Sequence, residues 1–182
     1  MIDASDIHSR YETHVNAYIA LIEQFDEQFF QRKPEKGGWS LAQIMDHIAA
    51  TTERCVSNAL LCAEGKGERG KSGVGPAIFS MMGSFPPIKI TVRKIPPGLN
   101  ALYEPRQIKK GEAIDSLNRS IDRMQMALPI VQRASRSVRL KHWAGGWFNA
   151  TQWLHSAEMH AKHHLRQVKR TLKQLESEPV NA

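Results

Sequence analysis

The chain has 182 residues, of which 41% are hydrophobic and 24% are charged, and this composition excludes a disordered or membrane-embedded protein. One domain, residues 1–182, is expected at this length. The net charge of +7 would suit an anionic partner, but the basic residues are dispersed and no nucleic-acid motif is present, so no nucleic-acid partner is expected.

The sequence also indicates the compartment. No apolar run is long enough for a membrane span, and the first residues lack the apolar part of a secretory signal, so we expect a cytoplasmic protein without a membrane segment. Cys55 and Cys62 are predicted to lie on one helix, with Cα atoms about 10 Å apart, which is beyond disulfide reach. They are interpreted as buried, reduced residues.

The first predicted helix runs from about residue 3 to residue 32. Its apolar residues recur at helical spacing from Ile7 to Phe29. His14 lies near this stripe, and the favoured interpretation is a partly buried, hydrogen-bonded histidine rather than a site residue. The sequence KPEKGG at residues 33–38 predicts a turn.

A capping box begins the second predicted helix, because Ser40 is followed three residues later by Gln43. This helix is expected to end near Ala63, before a glycine-rich segment. His47 interrupts its apolar face, and a buried imidazole needs a partner for each nitrogen. The predicted inner face comprises Ile44, His47, Thr51, Asn58 and Leu61, with Arg54 at its edge.

Residues 65–105 are rich in glycine and proline, which excludes a long regular helix. Residues 88–95, IKITVRKI, alternate weakly and suggest a short extended piece. A connection of this length inside a compact domain is typical of a lid, a binding loop or a disordered segment. Its glycine spacing does not match a phosphate-binding loop.

The third helix is predicted over residues 112–127, and Pro129 is expected to end or kink it. A basic connection is expected at residues 133–146. The fourth helix begins at Asn149, where Gln152 completes a second capping box, and it is predicted to reach Lys173.

The fourth helix carries the main candidate site. Trp153, His160, His164, Gln167 and Thr171 lie within roughly 40° of one another on a helical wheel. His160 and His164 are an i, i+4 pair, a spacing that lets two imidazoles bind one metal ion. Together with His47 they form a three-histidine set, which leaves open positions, as in catalytic metal sites. The alternative is that these are ordinary core or surface histidines.

Other residues are candidates for supporting roles. His163 is about 60° from His160 and is expected to be a neighbour rather than a ligand. Gln167 could hydrogen-bond a ligand, Arg54 could hold an anionic substrate, and Trp153 could form a pocket wall; helix packing or surface exposure is the alternative for each. His155 is expected to face away. Protease chemistry of the H-E-x-x-H type is disfavoured, because Ala161 occupies the position of the glutamate.

Two segments resemble the DinB/YfiT superfamily. The first is Trp39-Ser40-x-x-Gln43-Ile44-x-x-His47, which is similar to that family's W-S-x-x-E-x-x-x-H segment, although Gln43 stands where the family often has glutamate. The second is His160-x-x-x-His164-x-x-Gln167-Val168, which is similar to its H-x-x-x-H-x-x-Q-I helix.

The resemblance implies an all-α, four-helix bundle in an up-down-down-up arrangement, with residues 65–105 as the crossover between helices 2 and 3. It implies that His47, His160 and His164 bind a divalent metal, zinc or nickel. It also implies a thiol-dependent transferase that joins a bacterial low-molecular-weight thiol, such as bacillithiol or mycothiol, to a small electrophile. A homodimer is plausible for such a bundle.

Two alternatives remain open from the sequence. One is a hydrolase that uses the same metal to activate water, and the other is a non-catalytic, stress-related bundle. The sequence identifies no general base, and it leaves the metal, the thiol, the small-molecule substrate and the role of residues 65–105 undetermined.

Overall fold

The computed structural model describes residues 3–70, 76, 78, 81, 104–142 and 145–178. The described helices are α1 (Ala4–Ile22), α2 (Glu27–Gln31), α3 (Leu41–Ala63), α4 (Lys110–Gln132) and α5 (Ala150–Ser177). Three short strands, β1 (Glu68–Arg69), β2 (Val138–His142) and β3 (Gly146–Phe148), form an antiparallel sheet in the order β1-β2-β3. The chain is mostly helical, which is consistent with the predicted all-α fold, but the small sheet was not predicted.

The long helices pack in a regular pattern. Helices α1 and α3 each pack against both α4 and α5. Two contacts show that helices α3 and α5 run in opposite directions. Cys62, at the end of α3, contacts the Phe148 carbonyl just before α5 begins. His47, near the start of α3, contacts His160 farther along α5. These contacts bring the two histidine-bearing helices side by side. The up-down-down-up order of the bundle stays a prediction.

Buried tyrosines join the helices through their hydroxyl groups. The Tyr11 hydroxyl on α1 lies 3.0 Å from Thr52 on α3 and 2.6 Å from Ser120 on α4. Tyr18 donates to the Ala161 carbonyl on α5 at 2.6 Å. Because both tyrosines are fully buried, these bonds satisfy polar groups that would otherwise destabilise the core.

The first predicted helix is two helices. Helix α1 ends at Ile22, and α2 begins after Asp26, whose side chain accepts a hydrogen bond from the Phe29 backbone N–H at 2.7 Å. An aspartate in this position favours the start of a new helix. The prediction missed the break between the two helices because the apolar spacing continues across it.

The third helix is longer than predicted. Pro129 was expected to end or kink this helix. Helix α4 covers Lys110–Gln132 with Pro129 inside it, so Pro129 does not end the helix, and a kink there stays a prediction. The proline lies in the last turn, where Leu128 and Val131 are buried and keep the turn packed on the core.

The predicted basic connection at residues 133–146 contains the strand β2 and reaches β3. Lys141 pairs with Trp147 and Leu140 pairs with Phe148 across the β2–β3 hairpin. Gly67 lies against this sheet so closely that a Cβ atom there would come 2.6 Å from the Arg139 carbonyl oxygen, and only glycine fits.

The predicted inner face of α3 is only partly right. Ile44 and His47 are buried, but Thr51, Arg54 and Asn58 are half-buried and Leu61 is exposed. The core is instead contacted by a neighbouring face of the helix that comprises Met45, Ile48, Thr52, Cys55, Val56, Ala59 and Cys62. Both cysteines are free and buried, as predicted.

Both capping boxes form, and each glutamine makes a second connection. Gln43 Oε1 accepts from the Ser40 N–H at 3.3 Å, while its Nε2 donates to the Pro105 carbonyl at 3.3 Å. Gln152 Oε1 accepts from the Asn149 N–H at 3.0 Å, while its Nε2 donates to the Pro76 carbonyl at 3.0 Å. The starts of both histidine-bearing helices are therefore tied to prolines within the predicted crossover.

The possible extended piece at residues 88–95 lies outside the described residues. None of the described helices combines the length and the apolar character that a membrane crossing requires.

Candidate metal centre

The capping boxes determine where each site histidine lies along its helix. Ser40 begins α3 and places His47 in its second turn, and Asn149 begins α5 and places His160 and His164 in its third and fourth turns. Since α3 and α5 pack side by side, the three imidazoles meet in the space between the two helices.

The three rings bring their Nε2 atoms together. His160 Nε2 lies 3.0 Å from His47 Nε2 and 3.0 Å from His164 Nε2. Two nitrogens that bind one zinc ion at about 2.1 Å are about 3.0 to 3.4 Å apart when the angle at the metal is between a right angle and a tetrahedral one. The two separations at His160 match this range, and the three ligand nitrogens all lie within 4.8 Å of one another.

Hydrogen bonding among the rings does not satisfy these nitrogens. One Nε2 carries at most one proton, so His160 cannot form good hydrogen bonds to both of its neighbours when all three rings are neutral. A cation between the rings would accept all three lone pairs. The residues present therefore fit a divalent metal ion.

Gln167 selects the tautomer that a metal ligand requires. Its Oε1 lies 2.7 Å from His164 Nδ1, and since a carbonyl oxygen only accepts, Nδ1 carries the proton. The lone pair of His164 is then on Nε2, toward the other histidines. Partners of this kind orient metal-binding histidines and raise their basicity. His160 Nδ1 has no hydrogen-bond partner among the described residues.

The environment keeps all three imidazoles neutral. Burial, with a smaller contribution from the positive charge of Arg54, lowers the pKa of His47 to about 4. Burial lowers the pKa of His164 to about 3, and burial and the neighbouring histidines hold the pKa of His160 well below its usual value. The lone pairs are thus available near neutral pH. Three imidazole nitrogens suit zinc, nickel, copper or iron rather than calcium or magnesium.

The structure also places the other predicted site residues. His163 packs its ring edge-on against His164, with centroids 5.5 Å apart, and lies outside the three-histidine cluster. Arg54 is half-buried, and its charge acts on His47 and His160. Trp153 lies instead against His142 and Phe148, with ring centroids 5.1 and 5.6 Å away, so the structure does not bring it into the cluster.

Two histidines belong to a different cluster. His14 Nε2 lies 3.4 Å from the carboxylate of Glu158, and His155 Nδ1 lies 3.3 Å from it. Glu158 is buried, and these two histidines hold the pKa of its carboxyl at about 2 against the effect of burial. The expectation that His155 faces away from the site histidines is therefore correct, and His14 is hydrogen-bonded and outside the candidate centre.

Trp39 is the site residue that the sequence reasoning missed. Its ring lies 4.9 Å from the His47 ring and 6.5 Å from the His164 ring, measured between centroids, so it covers one side of the centre. The available signal was its position, directly before the capping residue Ser40. The carboxylate of Asp46, next to His47, accepts a hydrogen bond from the Arg106 backbone N–H at 2.8 Å and another from the Arg106 guanidinium at 2.7 Å. These bonds fix the outer side of this turn.

A mostly helical protein with three convergent histidines on two antiparallel helices defines a class of candidate metalloproteins. The sequence profile of the DinB superfamily matches residues 10–168, and the chain belongs to that superfamily. No curated protein and no solved structure gave a significant match to the chain.

Proposed function

We propose that this chain is a divalent-metal-dependent enzyme with His47, His160 and His164 as ligands, and that it transfers a low-molecular-weight thiol to small electrophiles. The convergence of the three imidazoles, with His160 Nε2 lying 3.0 Å from the Nε2 atoms of both His47 and His164, carries this proposal. Membership of the DinB superfamily supports this function. We also propose the up-down-down-up bundle, which the packing of α1 and α3 on α4 and α5 supports.

A divalent ion at this position lowers the pKa of a thiol or a water molecule that binds to it. The protein's own groups prepare the site for that chemistry. Gln167 holds the proton of His164 on Nδ1, and the Trp39 ring shields one side of the imidazoles from water. The positive charge of Arg54 favours a negative group, such as a thiolate or a substrate carboxylate, close to His47 and His160.

Metal content tests the first half of the proposal. The wild-type protein, purified without added chelator, is expected to hold about one equivalent of zinc or nickel, and His160→Ala is expected to lose it. His163→Ala is the matched control, because His163 is on the same helix next to His164 but outside the cluster. Equal metal content in the wild type and His160→Ala would contradict the assignment.

A thiol-dependence assay tests the second half. The metal-loaded protein is mixed with 1-chloro-2,4-dinitrobenzene and, in turn, with bacillithiol, mycothiol, cysteine or no thiol. A transferase forms the thioether faster than the uncatalysed reaction, and only with a thiol. Turnover of a nitrophenyl ester in the absence of thiol, without thioether formation, would favour the hydrolase alternative instead.

A further inference from the structure

A second concave region lies at the other end of α3. Its lining comes from the last turns of α3, the following residues up to Glu68, and the β2–β3 hairpin, and its volume is about 740 Å³. Pockets for small molecules commonly occupy about 300 to 1,000 Å³. Asn58, which lines the cavity, follows His47 by eleven residues on the same helix, so the cavity lies about 16 Å from the metal-binding residue.

The hairpin places a cation beside an aromatic ring in the wall. Lys141 and Trp147 are register partners across β2 and β3, so their side chains share one face of the hairpin, and both residues line the cavity. Trp147 is half-buried, and an aromatic ring in a cavity wall is a common packing surface for a flat apolar molecule.

The lining contains two cationic residues, Lys66 and Lys141, and one acidic residue, Glu68, which has an interaction partner. The Lys66 ammonium is paired with the Glu64 carboxylate at 2.8 Å. Lys141, by contrast, forms no ion pair with any residue in the described part of the chain. The half-buried Asn58 side chain likewise makes no hydrogen bond within the described ranges, which leaves a donor and an acceptor facing this region.

We propose that this cavity is a binding site, separate from the metal centre, for a small molecule with a flat apolar body and one anionic group. The apolar body packs on Trp147, Leu61 and Leu140, the anionic group pairs with Lys141, and the Asn58 amide bonds a polar atom of the ligand. This assignment does not depend on the proposed transferase activity.

The probe for this site is 8-anilinonaphthalene-1-sulfonate, which has an aromatic body and one sulfonate and fluoresces when bound in an apolar environment. The wild-type protein is expected to bind one equivalent saturably. Lys141→Glu is expected to weaken binding by about tenfold or more, since it replaces an attraction with a repulsion. Lys169→Glu makes the same charge change on the exposed face of α5, outside the cavity, and is expected to bind like the wild type.

Two further variants test whether the probe binds in this cavity and whether its binding is independent of the metal centre. Leu61→Glu places a carboxylate in the cavity at a position that is already 37% exposed, so it tests the site without disturbing the core, and binding is expected to be lost. His160→Ala is expected to bind the probe normally. Wild-type affinity in both Lys141→Glu and Leu61→Glu, or equal loss of binding in Lys169→Glu or His160→Ala, would overturn the proposal.

Discussion

The carbonyl oxygen of Gln167 accepts a hydrogen bond from His164 Nδ1 at 2.7 Å, one helical turn away on α5. This bond fixes both the orientation and the tautomer of a proposed metal ligand. Its contribution to metal affinity is therefore measurable, because one substitution removes the acceptor and another keeps it.

Gln167→Ala is expected to weaken zinc binding by about 10- to 100-fold, since losing the acceptor frees the His164 ring to rotate and to change tautomer. Gln167→Glu keeps an acceptor of the same length and is expected to bind zinc at least as well as the wild type. Competition with a chromogenic chelator measures both affinities. Equal affinities in the wild type and Gln167→Ala would show that this bond does not support the site.

Trp39 is expected to report metal binding directly. Its ring lies 4.9 Å from the ring of His47, so a paramagnetic ion such as Ni²⁺ or Cu²⁺ at the centre should quench its fluorescence. Trp39→Phe is expected to lose most of this quenching, whereas Trp147→Phe, which alters the hairpin, should retain it. Titration of each variant with NiCl₂ gives the comparison, and unchanged quenching in Trp39→Phe would contradict the described placement of Trp39.

Gln43 is expected to stabilise the fold more than a glutamate at the same position would. Glutamate could still accept from the Ser40 N–H and complete the capping box, but it cannot donate to the Pro105 carbonyl and would place negative charge beside that oxygen. Gln43→Glu should therefore destabilise the fold by about 1 to 2 kcal/mol. Urea unfolding measures the loss. Gln152→Glu also loses its bond to the Pro76 carbonyl, but its carboxylate would pair with the Arg139 guanidinium, which lies 3.1 Å from Gln152 Oε1, so its loss should be smaller. Wild-type stability in Gln43→Glu would contradict a stabilising role for the bond between Gln43 and Pro105.

The ring of His142 is expected to make the protein sensitive to acid. Burial lowers its pKa to about 4, so protonation favours the unfolded state, where the pKa is about 6.5. Stability is complete above about pH 6.5 and falls as the pH drops toward 4. Between pH 7.5 and pH 5 this residue should account for a loss of about 2 kcal/mol.

His142→Phe keeps a ring for packing against Phe148, whose centroid is 4.7 Å away, but cannot be protonated. Urea unfolding at pH 7.5 and pH 5 compares the two proteins, and the variant is expected to lose less stability between these pH values. Because other titrating groups are common to both proteins, their effects largely cancel. An identical loss in the two proteins would contradict the effect of burial on His142.

The parts of the structure that were predictable from the sequence rest on local rules. Ser40 with Gln43, and Asn149 with Gln152, specify the starts of α3 and α5 within four residues, and both capping boxes form. Helical spacing then places His160 above His164. His47 was grouped with them because it interrupts an apolar helix face, and the resemblance to a known family supported that grouping, since no local rule brings together residues that are 113 positions apart.

The missed features depend on distant contacts. The β2–β3 hairpin lies in a basic segment with two glycines, a composition that is also typical of a linker. The third strand of the sheet, β1, lies 69 residues or more earlier in the chain. Thr51, Asn58 and Leu61 share the helical face of His47, but none of the three is buried in the core, and Asn58 and Leu61 line a cavity instead. Glu158 is a charged residue whose burial depends on His14 from another helix, so helical spacing alone could not predict it.

The most direct test of the central claim is anomalous X-ray diffraction from crystals grown with zinc, with data collected on both sides of the zinc absorption edge. We predict one strong anomalous peak between α3 and α5, about 2.1 Å from the Nε2 atoms of His47, His160 and His164. A fully occupied peak elsewhere with none at this position, or a peak that contacts only one of the three rings, would contradict the account.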